Sequence, residues 1–77
     1  MSNVVVQRLM WWSPRQQALT MDYDILTLDD RFSVQREYQR ERNLRIMNVR
    51  TDDAGTYVCK LSEHGTLNTV ELVVNGM

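Results

Sequence analysis

The chain has 77 residues, with nine basic and ten acidic side chains, one cysteine and one histidine. The length allows a single small domain spanning residues 1–77, and the balanced charge argues against a nucleic-acid-binding protein, which normally carries a basic excess. One histidine and one cysteine cannot complete a tetrahedral zinc site without carboxylate ligands, so we expect no metal and no other cofactor. No apolar run approaches the roughly 18 residues of a membrane-spanning helix, so membrane contact would come only from other parts of a parent protein.

Apolar and polar residues alternate along most of the chain, and this period of two predicts β-strands. The strands predicted in chain order span residues 4–12, 25–28, 31–35, 44–46, 56–61 and 70–74. Between the last two, Ser62–Thr66 is typical of a hairpin loop, with Gly65 at a position that needs a positive φ. The charged stretch Arg36–Arg42 has no apolar stripe, and we expect a solvated turn there. About seven short strands with turns every 8–12 residues are typical of an antiparallel β-sandwich.

The segment from Leu44 to Cys59 is the most informative part of the sequence. It follows the pattern L-x-I-x-x-V-x-x-x-D-x-G-x-Y-x-C. Leu44 and Ile46 on a strand, and Val49 at its exit, are predicted to fill a core. Tyr57 stands two residues before Cys59, so both side chains face inward, and a tyrosine at such a corner donates its hydroxyl to the backbone upstream. Two further residues of the pattern are predicted to shape the corner between two sheets: Asp53 and Gly55.

This pattern, with Trp11 upstream of it, resembles the immunoglobulin superfamily in its V-set or I-set form. The resemblance implies an all-β, immunoglobulin-like antiparallel β-sandwich in which Trp11 lies on strand C and packs inward against Cys59. It also implies that Arg31, at the start of strand D, pairs with Asp53 at the corner. Three further segments are similar to invertebrate lachesin and neurotrimin-like cell-adhesion proteins: Leu19-Thr20, residues 30–34 and the ending Val70-x-Leu72-x-Val74.

The resemblance further implies that the domain is incomplete at its N-terminus. Members of the family have strands A and B before strand C, with a first cysteine on strand B. Because Trp11 stands only ten residues after Met1, strand A, most of strand B and that cysteine are expected to be absent. A partial domain of strands C to G would remain. Cys59 is then expected to be an inert core thiol, or the remaining half of the family's disulfide.

Trp11 and Trp12 are adjacent, so on a strand their side chains point to opposite faces. With Trp11 inward, Trp12 points outward, as do three other side chains predicted on the same face: Met10, Val58 and Lys60. Tryptophan and methionine are enriched at the centres of protein interfaces, so these residues predict a protein-binding surface on the C–F–G sheet. The alternative is that Trp12 packs under the loop that follows Pro14.

The loop residues Glu63 and His64 lie at the position of an antigen-binding loop in the family, and the resemblance adds them to the protein-binding surface. The alternative is an ordinary solvated hairpin. A nucleophilic Cys–His pair needs the two side chains within hydrogen-bond reach of each other. Cys59 is predicted to face the core while His64 lies on the loop, so the chain is predicted not to be an enzyme.

Together these features predict a non-enzymatic protein–protein recognition module of a cell-surface adhesion or receptor protein. Its predicted partner is another immunoglobulin-like domain, in homophilic or heterophilic pairing. The extracellular location rests on the resemblance alone, because the first eight residues lack the basic start and long apolar core of a signal peptide. The alternative function is an intracellular structural immunoglobulin module of a cytoskeletal or muscle scaffold protein, since such domains fold in a reducing cytosol without needing a disulfide.

Overall fold

The computed structural model describes residues 8–36, 42–61 and 65–75. Within these ranges the chain forms seven β-strands and one turn of 3-10 helix, Thr51–Asp53, which lies between the fifth and sixth strands. The strands, in chain order, are β1 Leu9–Trp12, β2 Ala18–Met21, β3 Asp24–Ile25, β4 Phe32–Gln35, β5 Asn43–Ile46, β6 Gly55–Leu61 and β7 Gly65–Leu72.

The strands form two sheets. Five strands lie in the order β3-β2-β1-β6-β7, and β4 pairs with β5 in the second sheet. Every pairing is antiparallel, which suits strands joined by short connections. In the larger sheet, β1 and β6 lie side by side although 42 residues of chain separate Trp12 from Gly55. The predicted all-β fold with antiparallel sheets is confirmed.

The core lies between the two sheets. Leu19 of β2, Phe32 of β4 and Tyr57 of β6 are buried and form one cluster. Four half-buried side chains pack against this cluster: Trp11, Leu44, Ile46 and Leu72. The prediction that Val49 fills the core is wrong, because the residue lies beyond the end of β5 and is 45% exposed. Because side chains alternate across a strand, β6 presents Tyr57 and Cys59 to the core and the residue between them to the opposite face of the sheet.

The prediction of a strand at residues 25–28 is wrong in its bounds. Only Asp24 and Ile25 pair, as β3. The chain then leaves the sheet, because the backbone N–H groups of Leu26 and Thr27 both donate to the carbonyl of Leu19, at 2.9 and 3.2 Å. Apolar alternation alone does not reveal that these donors are already engaged.

The sequence pattern also misses β2. Thr20 pairs with Trp11, but Ala18 pairs with Trp12, so Leu19 is an extra residue in the ladder, which is the definition of a β-bulge. The bulge leaves Leu19 and Thr20 both buried. Two successive buried residues break the alternation by which a strand is identified in a sequence.

The last strand begins earlier than predicted, because β7 runs from Gly65 to Leu72 instead of over residues 70–74. Three of its first five residues are polar, namely Thr66, Asn68 and Thr69. The ladder with β6 also shifts register between Cys59 and Lys60. Gly65 has a φ of 72°, which confirms the positive φ predicted there.

Of the first predicted strand, the described part forms β1, and residues 4–7 lie outside the described residues. The predicted turn at Arg36–Arg42 also lies mostly outside them. The strands predicted at residues 31–35, 44–46 and 56–61 are present as β4, β5 and β6, with ends that differ by one residue.

Candidate functional site

β1 and β6 place the predicted surface residues in two adjacent pairs. Met10 lies opposite Lys60, and Trp12 lies opposite Val58. Cys59 stands between the two pairs on β6 and is buried. Because successive side chains on a strand point to opposite faces, the residues on either side of it point away from the core. These four half-buried residues are the outer patch: Met10, Trp12, Val58 and Lys60.

Lys60 covers the ring of Trp12. Its Nζ atom lies 5.0 Å from the ring centroid, within the range of a cation–π contact. Nε1 of Trp12 is buried and has no hydrogen-bond partner among the described residues. Among the described residues, the indole is therefore held by packing and by the cation–π contact with Lys60, and not by a hydrogen bond.

The outer patch continues onto the neighbouring strands. Met21 of β2 lies opposite Met10, and Asp24 of β3 lies opposite Met21. At the far end of β6, Thr56 shares the outward face and lies opposite Glu71 of β7. Sequence reasoning missed Met21 because the bulge at Leu19 hides β2, and it missed Glu71 because the pairing of Glu71 with Thr56 is not visible within a single strand.

Arg31, immediately before β4, binds two carboxylates at the corner between the sheets. Its Nη1 and Nη2 donate to the two oxygens of Asp53 at 2.7 and 2.8 Å. Its Nε and Nη2 also donate to Asp29, at 3.1, 3.3 and 2.9 Å. The side chains of Arg31 and Asp53 are 13% and 7% exposed. The ion pair that the resemblance implies is therefore present, bidentate and nearly buried.

The charges at this corner shift one another's pKa values. Hydrogen bonding from the Arg31 guanidinium lowers the pKa of Asp53 from 3.8 to about 2, helped by the N–H of Arg50, which donates to the same carboxylate at 2.7 Å. Arg31 lowers the pKa of Asp29 as well. In return, the hydrogen bonds to the two carboxylates raise the pKa of Arg31. All three groups therefore stay charged at neutral pH.

The start of β6 closes the same corner. The hydroxyl of Tyr57 donates to the backbone carbonyl of Asp53 at 2.6 Å, as in the tyrosine corner of sandwich domains. Burial raises the pKa of Tyr57, which keeps its hydroxyl a donor. Gly55 lies between these two residues with a φ of 139°, and a Cβ atom there would lie 2.7 Å from the ring of Pro14.

A second polar cluster, which sequence reasoning missed, surrounds Asp22 in the turn between β2 and β3. Its carboxylate accepts the N–H of Leu9 at 3.0 Å and contacts Arg42 at 3.2 Å and Arg8 at 3.6 Å. The indole Nε1 of Trp11 donates to the carbonyl of Arg42 at 2.9 Å. These contacts join the start of β1 and the residue before β5 to one turn, so they position the sheets against each other.

Cys59 is a free thiol, 6% exposed, and burial raises its pKa. Glu63 and His64, the predicted loop residues of the binding surface, lie outside the described residues. Within residues 8–36, 42–61 and 65–75, no three histidine, cysteine, aspartate or glutamate side chains are grouped to hold a metal ion. No helix in that part of the chain is long and apolar enough to cross a membrane.

Comparison with known families agrees with this architecture. The model of the immunoglobulin domain family matches residues 4–72. The match covers most of the sequence, so the chain belongs to the immunoglobulin domain family. The predicted superfamily is thereby confirmed, while the V-set or I-set subtype and the likeness to lachesin and neurotrimin stay predictions.

Two solved structures share the fold. The ZIG-8–RIG-5 IG1–IG1 heterodimer is 22% identical with a TM-score of 0.80, over 99% of this chain and 68% of that one. The ZIG-8 IG1 homodimer is 24% identical with a TM-score of 0.81, over 91% of this chain and 62% of that one. The chain thus spans about two thirds of the length of these neighbours. No curated protein sequence matches it significantly.

Proposed function

We propose that this chain is a non-enzymatic protein-recognition module that binds another immunoglobulin-like domain through the outer patch. The observation that carries the proposal is the position of Trp12. Its large ring stands on the outward face of the five-stranded sheet, away from the core, with Met10 and Val58 beside it and Lys60 above it.

The chemistry of the patch is that of a contact surface. Tryptophan is among the residues that contribute most to binding energy in protein interfaces, and methionine is enriched at their centres. The ammonium of Lys60 adds a charge that a partner's carboxylate satisfies. A strand of a sheet presents these side chains in fixed order, so little backbone conformational entropy is lost when a partner binds.

The class of partner is supported by the two structural neighbours, which are described as a heterodimer and a homodimer of immunoglobulin domains. Together with the adhesion-protein resemblance of the sequence, they support a setting on the cell surface, in an adhesion or receptor protein. The proposed contact also takes in Glu63 and His64, but its test rests on the described residues of the outer patch.

The test is a binding screen with the full 77-residue chain on an oligomeric carrier. The array holds recombinant immunoglobulin ectodomains, including the first domains of ZIG-8 and RIG-5. Trp12→Ala should weaken any interaction at least about tenfold, as removal of a central aromatic residue does in other interfaces. Val58→Lys places a charge on the same face without removing a ring, and should have the same effect.

The matched control is Arg45→Glu, an exposed position on β5 in the other sheet, which should bind like the wild type. Circular dichroism must be the same for all variants. A partner that binds Trp12→Ala and Val58→Lys at full strength shows that another surface is used, and an array without any binder contradicts the proposed function.

A further inference from the structure

The part of the outward face that β6 and β7 form carries opposite charges at its two ends. Along β6, Lys60, Val58 and Thr56 follow one another on this face, and Glu71 of β7 lies beside Thr56. Two residues along a strand span about 6.8 Å. Along β6, Lys60 is therefore the next outward-facing residue after Val58. Glu71 lies beside Thr56, which is the outward-facing residue before Val58.

No other described residue neutralises either charge. Among the described residues, Lys60 and Glu71 make no ion pair with any other side chain; the ammonium rests on the ring of Trp12, and Glu71 is exposed. Four aspartates of the described chain, by contrast, do have cationic neighbours: Asp22, Asp29, Asp52 and Asp53. The two free charges flank the apolar centre of the proposed recognition surface.

We propose that the partner of this face is a second copy of the chain, related by a two-fold axis that runs across the strands at the level of Trp12 and Val58. In such an isologous contact the same patch meets itself. The axis exchanges the two ends of β6, so Lys60 of each copy faces Thr56 and Glu71 of the other. Two symmetric Lys60–Glu71 ion pairs then flank a centre of paired Trp12 and Val58 side chains.

The same symmetry keeps like charges apart. The two copies of Lys60 lie on opposite sides of the axis, roughly 14 Å from each other along the strands. That distance exceeds the Debye length of about 8 Å at physiological salt. In this orientation, Lys60 and Glu71 of one copy meet the opposite charges of the other. The two charges therefore favour one register of the contact as well as one partner.

The contact is small. Five strands about 4.8 Å apart, most of them four to eight residues long, give a face of roughly 20 by 20 Å. An interface of that size falls below the standard range for stable complexes, so a weak, reversible dimer is expected. This inference rests on the proposed function, because it names the partner of the same surface.

The experiment is sedimentation equilibrium of the full chain over a wide range of protein concentration, with Lys60→Glu, Glu71→Lys and the double variant. Each single variant turns both attractive pairs of the dimer into repulsive ones, and should raise the dissociation constant about tenfold. The double variant restores opposite charges, and should return to within about threefold of the wild type. Added salt should weaken the wild-type dimer.

The matched control is Arg45→Glu, which makes the same charge change as Lys60→Glu on the other sheet and should leave the dimer unchanged. A wild-type chain that stays monomeric throughout overturns the inference, yet it leaves the ectodomain screen to decide the proposed function. If Trp12→Ala dissociates the dimer and the charge variants do not, the proposed ion pairs are wrong, but the dimer still forms through the outer patch. A dimer that none of these variants weakens overturns both.

Discussion

Arg31 donates hydrogen bonds from both terminal nitrogens to Asp53, at 2.7 and 2.8 Å. This ion pair connects the start of β4 in one sheet to the turn that precedes β6 in the other. The carboxylate of Asp53 also accepts the N–H of Arg50, and its backbone carbonyl accepts the hydroxyl of Tyr57. A single aspartate therefore links a cation, a turn and a core tyrosine. Several properties of the domain should depend on it.

Asp53→Asn should lower the free energy of unfolding by about 3 kcal/mol, because it removes the charge of one partner from a nearly buried ion pair. Asp29 remains as a second partner for Arg31, which keeps the loss at the lower end of the range for such pairs. Urea unfolding followed by circular dichroism measures the change. Asp52→Asn is the control. Asp52 is 64% exposed, and its one ion pair among the described residues is with the exposed Arg50, so the free energy of unfolding should fall by less than about 0.5 kcal/mol.

The same aspartate should make stability fall in acid. Its pKa is about 2 in the folded chain, against an ordinary value of 3.8. Between these values the unfolded chain binds more protons, so stability rises with pH in that window. The contribution is complete above about pH 5 and is lost as the pH falls through about 4 towards 2. Urea midpoints at a series of pH values measure this slope.

Asp53→Asn should flatten most of that slope, and what remains should come largely from Asp29, whose pKa Arg31 also lowers. Asp52→Asn should leave the slope as in the wild type. A slope that is as steep in Asp53→Asn as in the wild type would mean that other carboxylates govern the acid unfolding of this domain.

The part of the corner from Asp53 to Cys59 could be predicted from the sequence because its residues lie close together along the chain. Asp53, Gly55, Tyr57 and Cys59 stand at a fixed spacing on one turn and one strand, and a strand's alternation then decides which side chains enter the core. Inferences from this spacing need no knowledge of which strands pair. The inward position of Trp11 and the pairing of Arg31 with Asp53 come instead from the resemblance to the immunoglobulin superfamily.

The outward face could be predicted only in part, because its composition depends on register. The bulge at Leu19 hides β2, and with it Met21. The bulge opposite Lys60 hides the early start of β7, and the position of Glu71 beside Thr56 depends on how β7 pairs with β6. A one-residue shift moves every later side chain to the other face. Alternation within a single strand cannot reveal such shifts, since they are properties of a pair of strands.

Cys59 should be nearly unreactive in the folded chain. The thiol is 6% exposed and burial raises its pKa, so both access to the sulfur and the fraction of reactive thiolate are low. Reaction with a disulfide reagent at about pH 8 should be at least about 100-fold slower in buffer than in concentrated guanidinium chloride. Absorbance of the released thiolate measures both rates, and similar rates would mean that the core around Cys59 opens readily.

Gly55→Ala should destabilise the domain by about 3 kcal/mol, for two separate reasons. The φ of 139° is rarely adopted by a residue with a side chain, and the added Cβ would lie 2.7 Å from Cβ and Cγ of Pro14. Backbone strain of this kind costs about 1–3 kcal/mol and overpacking a similar amount. Urea unfolding measures the loss.

Gly65→Ala measures the cost of a positive φ where no steric contact is added. Gly65 also has a positive φ, 72°, but a Cβ there would meet no atom within 4 Å, so the expected loss is only about 1 kcal/mol. In a Pro14→Gly background the contact is removed and only the strained φ remains, so Gly55→Ala should there cost about 1–2 kcal/mol less than in the wild type. An equal cost in the two backgrounds would show that Pro14 yields to the new side chain, and that conformation alone makes glycine necessary at the corner.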